Sequence, residues 1–195
     1  MFLVGILVAC LASIAYAYWA SMPLPTPGPT VSITSPPLQF SMGLDKAEYA
    51  PIDNFTVHFS LRNISNQTVT LTVTSILALG INPMAPIFRV ETSSEGVTSS
   101  ELSIAFHFGF RWTYSNGTVV FDTGHFGRFH STYNIVLAPG GCLNQIFHLS
   151  LVQYYGKPPV TGVFQIRGFF PYFYVDGSGP PTATLETPSI AFTAN

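Results

Sequence analysis

Four Asn-x-Ser/Thr triplets carry the most specific chemistry in this chain: Asn54-Phe55-Thr56, Asn63-Ile64-Ser65, Asn66-Gln67-Thr68 and Asn116-Gly117-Thr118. In an exported protein each is an acceptor for an N-linked glycan, provided the host glycosylates. Asn63, Asn66 and Asn116 fall where the chain is expected to turn, within reach of a transferase. Asparagine is also a preferred turn residue, so turn chemistry accounts for the same positions without a glycan.

Other reactive side chains do not assemble into a site. The histidines are His58, His107, His125, His130 and His148, and His125 and His130 share a loop-like segment near Asp122. Their spacing matches no zinc template and no cysteine stands nearby, so no metal ligand is assigned and the histidines are expected on solvent-facing strand faces. Nucleophilic catalysis needs a Ser or Cys with a base and an orienting acid. The chain has no Gly-x-Ser-x-Gly elbow, and Cys142 follows Gly140-Gly141 at a strand start with no cue for activation. Glu91, Glu95 and Glu101 lie in a Ser/Thr-rich stretch that reads as a solvated loop. No Gly-rich phosphate loop joins a strand to a helix. The expectation is a non-enzymatic protein with no catalytic, cofactor-binding or metal residues.

The composition sets the elements that must carry these residues. At 195 residues the chain holds about one domain of roughly 150 residues plus an appendage. Charged residues make up 8%, against about 25% in ordinary soluble domains, which excludes a charge-rich disordered chain. Seven Lys and Arg against nine Asp and Glu give a net charge of −2 without a basic run, so nucleic acid is not an expected partner. Sixteen Pro, sixteen Gly and seventeen Phe favour strands and turns over helices. Cys10 lies in the N-terminal apolar run, so it and Cys142 build no disulfide framework.

Every charged side chain lies at or after Asp45, which sets the N-terminus apart. Residues 1–20 are uncharged and apolar, and twenty helical residues span about 30 Å, one hydrocarbon thickness. The run reads equally as a transmembrane anchor or as a signal peptide cleaved before Tyr18, after Ala15 and Ala17. Leu7-Val8-Ala9-Cys10 also matches a lipobox, but weakly. Residues 21–37 are rich in proline and read as an extended spacer.

From Leu38 to Asn195 the pattern is that of half-buried strands. Phe55, Val57, Phe59 and Leu61 alternate with Thr56, His58, Ser60 and Arg62, and Val69, Leu71 and Val73 with threonines. With Asn63 to Gln67 turning the chain, these two runs are expected to pair as an antiparallel hairpin. Asn116-Gly117 predicts a type I′ hairpin turn after an aromatic run, Phe106 to Trp112, expected in the core. Leu137 to Gly141 reads as another turn, Cys142 to Val152 and Val163 to Phe170 as strands, and Ser189 to Thr193 as an edge strand. Phe169 to Tyr174 is a candidate apolar partner surface. Seven or more strands with frequent turns point to an all-β antiparallel sandwich over residues 38–195.

Particular residues sharpen that class. Leu44-Asp45-Lys46, Tyr49-Ala50-Pro51, the strand end Leu61-Arg62-Asn63, and Thr68-Val69-Thr70-Leu71 resemble the opening of the bacterial intracellular proteinase inhibitor family. Trp112, Asn116 to Val119, Leu137 to Gly140 and Gly162 to Gly168 resemble its later strands, so the likeness covers about Leu38 to Phe170. The resemblance implies an immunoglobulin-like sandwich; no inhibitory loop residue carries over. Leader, spacer and sandwich together give the leading expectation, a cell-surface or secreted module with a binding or envelope-structural role. The alternatives are a filament subunit whose segment Thr30 to Leu44 completes a neighbour's sheet, and a protease inhibitor. A protein partner or self-association is expected, with the membrane as a further partner if the N-terminal helix is retained.

Overall fold

The structure is a computed structural model that describes residues 28–50, 53–76, 88–99, 107–122, 130–150, 161–175 and 183–195. The apolar run and most of the spacer lie outside these residues, as do His125 and the loop from Asp176 to Pro181. Among the described residues every regular element is a strand, and no helix is long and apolar enough to cross a membrane. The strands are β1 (Thr30–Ser35), β2 (Leu38–Leu44), β3 (Glu48–Tyr49), β4 (Asn54–Asn63), β5 (Val69–Ile76) and β6 (Phe88–Thr98). They continue with β7 (Gly109–Tyr114), β8 (Val119–Asp122), β9 (His130–Ser150), β10 (Gly162–Val175), β11 (Ala183–Glu186) and β12 (Ile190–Ala194).

Hydrogen bonds link the strands in the order β1-β2-β4-β9-β5-β10-β12-β3, with β6 on β9, β11 and β7 on β10, and β8 on β7. All pairs are antiparallel except the short β12–β3 contact, which is parallel. The path folds over itself, because β4 faces β7 and β12 across the core. Phe55 stacks on Trp112 at 5.6 Å and lies 4.9 Å from Phe192, and Phe59 meets Phe110 at 6.2 Å. The result is an all-β sandwich with an aromatic interior.

The alternation read from sequence decides what this interior contains. Phe55, Val57, Phe59 and Leu61 of β4 are buried, as are Leu38, Phe40, Met42 and Leu44 of β2 and Val69, Leu71 and Val73 of β5. Each large apolar side chain so buried contributes about 1.5–3 kcal/mol. Phe108, Phe110 and Trp112 join the same core, as the aromatic run predicted. Phe170 is also core, so the expected apolar surface from Phe169 to Tyr174 does not include it.

The pairing differs from the sequence reading in several places. β4 and β5 do not form a hairpin: β4 pairs with residues 142–150 of β9 and β5 with residues 130–137. Since β6 takes the other edge of β9 along both halves, β4 and β5 follow one edge in succession. The bend from Asn63 to Gln67 therefore carries the chain onward. Leu137 to Gly141 is likewise no reversal, for β9 runs through it. At this crossing the β6–β9 register shifts between Glu95 and Val97, with residues 138–141 of β9 standing against Gly96 alone, and a Cβ on Gly141 would sit 2.6 Å from the Gly96 carbonyl oxygen. Only a residue without a side chain lets the strands approach so closely.

The loop expected around Glu91 and Glu95 is the edge strand β6. Its outer residues are polar and the register shift at Gly96 breaks its alternation, which hides the strand period. Residues 30–35, read as part of the spacer, are β1 paired to β2. The prolines flank this stretch without interrupting it, and Val31 and Ile33 pack half-buried against the core. The segment around Ile190 and Phe192 is not an edge, since β12 lies between β10 and β3.

The β7–β8 hairpin forms as expected, with a different turn. The Gly117 amide donates to the Tyr114 carbonyl at 2.9 Å and the Tyr114 amide to the Thr118 carbonyl at 2.8 Å. That is a three-residue loop, Ser115-Asn116-Gly117, with Gly117 at φ 87° in the left-handed position. The type I′ expectation misplaced the loop by one residue because Ser115 also joins it.

Candidate functional site

On the outer face of the β2–β4–β9–β6 sheet lies an open cleft of about 600 Å³. Strand register builds its floor in rows. Ser41 stands opposite Ser60, Ser60 opposite Asn144, and Asn144 opposite Ser93, so four strands contribute one neutral polar side chain each. The next row places Gly43, His58, Ile146 and Glu91 side by side. The rows exist because odd-numbered residues of β4 and β9 fill the core, which turns Ser60, His58, Asn144 and Ile146 outward. Gly28 and Thr30 close one end, where the Leu44 amide donates to the Pro29 carbonyl at 3.0 Å.

The hydrogen bonding of the floor is partly spent. The Ser60 hydroxyl and the Cys142 thiol lie 3.1 Å apart, and the Cys142 thiol donates to Asn144 Oδ1 at 3.3 Å. The Asn144 amide nitrogen, the hydroxyls of Ser41 and Ser93 and the His58 ring have no partner among the described residues. Asp45 also lines the cleft, with its Oδ1 accepting from the Tyr49 hydroxyl at 2.8 Å and the Thr56 amide at 3.1 Å. Among the described residues lining the cleft there is no Lys or Arg.

Beside it, the Asp45-Lys46…Tyr49 motif holds the loop from β2 to β4. The Lys46 amide donates to the Tyr49 hydroxyl at 3.2 Å. Burial pushes the Tyr49 phenol well above its ordinary pKa, and the hydrogen bond to Asp45 adds to the shift. Lys46 and Asp53 form an ion pair at 2.8 Å, which raises the Lys46 pKa and lowers that of Asp53; the Ala50 amide also donates to Asp53. The motif that suggested a family is thus a loop clasp.

The buried polar side chains of the described residues are Asn63, His107, Gln145 and Thr187. Asn63 is fully enclosed, with Nδ2 donating toward the carbonyls of Gln67 (2.7 Å), Leu137 (3.1 Å) and Ala138 (3.1 Å). Its Oδ1 accepts from the amide and hydroxyl of Ser65. Gln145 accepts from the His107 amide at 2.9 Å and donates to Thr92 at 3.0 Å. His107 Nδ1 is hydrogen-bonded to the Tyr133 hydroxyl. The Thr187 hydroxyl accepts from the Gly168 amide at 3.0 Å. Histidine 107 therefore departs from the solvent-facing expectation, because it stands at the mouth of β7 beneath β9. His58 is exposed, and His148 Nε2 lies 3.4 Å from Glu91 Oε1. Among the described residues no three His, Cys, Asp or Glu side chains are grouped to hold a metal.

The four sequons separate in the structure. Asn54, Asn66 and Asn116 are exposed, whereas Asn63 has its amide nitrogen committed inside the protein. The sequence offered no sign of this difference, nor of the cleft, whose serines and asparagine come from four distant stretches.

No family model matches the chain, and no curated protein matches it. Solved structures with some similarity include the following two. The CooA pilin subunit from enterotoxigenic Escherichia coli has a TM-score of 0.29 at 9% identity, over 76% of this chain and 87% of that one. AvmM, which catalyses macrocyclization in alchivemycin A biosynthesis, has a TM-score of 0.27 at 10% identity, over 86% and 88%. At these values neither bears on what this chain does. Of the sequence resemblance, the all-β sandwich stands.

Proposed function

We propose that this chain is a non-enzymatic, immunoglobulin-like module displayed at the cell surface or secreted, with a binding role. One observation carries the reading. Asn63, Gln145 and Thr187 each hold backbone groups of their own fold, while uncommitted neutral polar groups gather in an open cleft on the sheet face. Such a division suits a rigid scaffold with a recognition face. The apolar run at residues 1–20 supports display, as anchor or as cleaved signal. Exposed Asn54, Asn66 and Asn116 are the acceptor sites the folded domain leaves open if the host glycosylates.

A second reading, a filament subunit, is favoured by β1. Among the described strands it is an edge that hydrogen-bonds to β2 alone, with Val31 and Ile33 only half-buried, and a strand of this kind can pair with a neighbour's sheet.

Intact mass of the native protein, taken after separating membrane, medium and sedimenting assemblies, tests both. A full-length mass in the membrane, or a mass starting near Tyr18 as small species in the medium, is the expected outcome. Recovery as concentration-dependent polymers replaces the first reading with the second, and recovery of an unprocessed chain from the cytosol overturns both.

A further inference from the structure

The cleft has a floor chemistry narrow enough to name a ligand class. Its central row, Ser41, Ser60, Asn144 and Ser93, offers hydroxyls and an amide, which both donate and accept hydrogen bonds. Adjacent strands set these groups about 4.8 Å apart, in a nearly straight line across four strands. Ser41 and Asn144 are half-buried and keep hydrogen-bonding capacity that no described protein group uses. An apolar ligand would cover these groups and leave them unpaired, which is unfavourable by about 1–3 kcal/mol each. An anionic ligand would meet Asp45 in the lining, with Glu91 in one neighbouring row and Glu95 in the other, against the single cation Arg62 that these described rows supply. A ligand that is neutral and carries a series of hydroxyls satisfies every one of these conditions. Ile146 and the His58 ring, in the next row, give its ring faces a surface to lie on.

We infer that this cleft binds a neutral saccharide, laid across β2, β4, β9 and β6 with its hydroxyls on Ser41, Asn144 and Ser93. The inference rests on the binding-module reading and gives that module its ligand class. The side chains involved point outward, so their removal leaves the core intact.

The test is calorimetric titration of the full chain with three neutral oligosaccharides, cellopentaose, mannopentaose and chitopentaose, and with polygalacturonate as the anionic counterpart. At least one neutral sugar is expected to bind and polygalacturonate is not. Asn144→Ala is expected to weaken binding at least tenfold and Ser41→Ala severalfold, with circular dichroism and thermal midpoint unchanged. Gln165→Ala, on the outer face of the opposite layer, leaves affinity as it was. The inference is overturned if no neutral sugar binds at millimolar concentration, if the acidic polymer binds more tightly, or if Gln165→Ala matters as much as Asn144→Ala. The fractionation described above is independent of these results. A surface-displayed chain blind to neutral sugars loses the ligand and keeps the display reading, and a sugar-binding chain found in the cytosol does the reverse.

Discussion

Asn63 and Asn116 each stand in an Asn-containing bend between two alternating runs, and the chain leaves the two bends in opposite senses. At Asn116 it reverses, and β8 returns along β7. At Asn63 it goes on, and β5 follows β4 along the same neighbour, β9. The side chains explain the contrast. Asn116 is exposed, and its Oδ1 accepts from the Thr118 amide at 3.0 Å, a bond confined to the loop. Asn63 is enclosed and reaches residues 74 and 75 positions away. Local chemistry thus marks where a chain bends, and a long-range contact decides where it goes.

The largest expected effect comes from removing that contact. Asn63→Ala removes the donor to the carbonyls of Gln67, Leu137 and Ala138 and the acceptor of the Ser65 amide, a loss of about 3 kcal/mol. A domain stability of about 5–15 kcal/mol survives this only in part, so the urea midpoint falls steeply. A change under about 1 kcal/mol would mean that the bend is held by strand pairing and that the comparison with Asn116 is empty.

Two glycines sharpen the same contrast. Gly141→Ala, at the crossing beside Asn63, places a methyl 2.6 Å from the Gly96 oxygen and 2.9 Å from that of Ala138, all backbone. The strands must separate there, at about 2 kcal/mol. Gly117→Ala meets no atom within 4 Å and suffers only its left-handed φ of 87°, about 1 kcal/mol. Equal losses for the two variants in chemical denaturation would remove the distinction between a packed crossing and an open hairpin.

The sequence made these bends visible without their destinations. Alternation alone located β2, β4, β5 and β7 and chose their buried faces, because a period of two survives wherever one side of a strand meets a core. It missed β6, whose outer residues are polar and whose pattern slips at Gly96, and β1, whose surrounding prolines suggested a spacer. The cleft was still less accessible. Ser41, Ser60, Ser93 and Asn144 are ordinary outward residues in sequence, and only the register of four strands brings them into one row. Asn63 and Asn66, three residues apart and both sequons, looked alike for the same reason: burial is decided by the partner strand.

The loop from β2 to β4 is a third bend, clasped by side chains like the one at Asn63 but nearer the surface. Tyr49→Phe removes the bond to the Asp45 carboxylate and the acceptor for the Lys46 amide, about 1.5 kcal/mol. The pH dependence gives a second readout. Because the folded-state pKa of Tyr49 is raised above its unfolded value of about 10, the folded protein retains the neutral phenol. The stability it contributes is complete below that pH and is lost as pH rises past it toward the folded value. Wild-type protein should therefore lose stability above about pH 10 more steeply than Tyr49→Phe. Parallel alkaline limbs for the two proteins would show that the clasp is not closed in solution. The exposed Lys46–Asp53 pair belongs to the same loop. Its Asp53 contribution is lost as acid protonates the carboxylate, and its Lys46 contribution as alkali neutralises the amine.

The smallest effect belongs to Asn116, and its smallness is the point. Asn116→Ala deletes one solvent-exposed bond within a loop whose reversal is already fixed by the Gly117–Tyr114 and Tyr114–Thr118 backbone bonds. The expected loss is at most about 0.5 kcal/mol, in the range of an ordinary surface substitution. Amide exchange at Tyr114 and Gly117 gives a local reading that global unfolding would blur, and protection there should persist in the variant. If instead the variant unfolds as readily as Asn63→Ala, the exposed bend would be as long-range in its energetics as the buried one. Burial of the asparagine would then no longer separate a bend that reverses the chain from one that carries it onward.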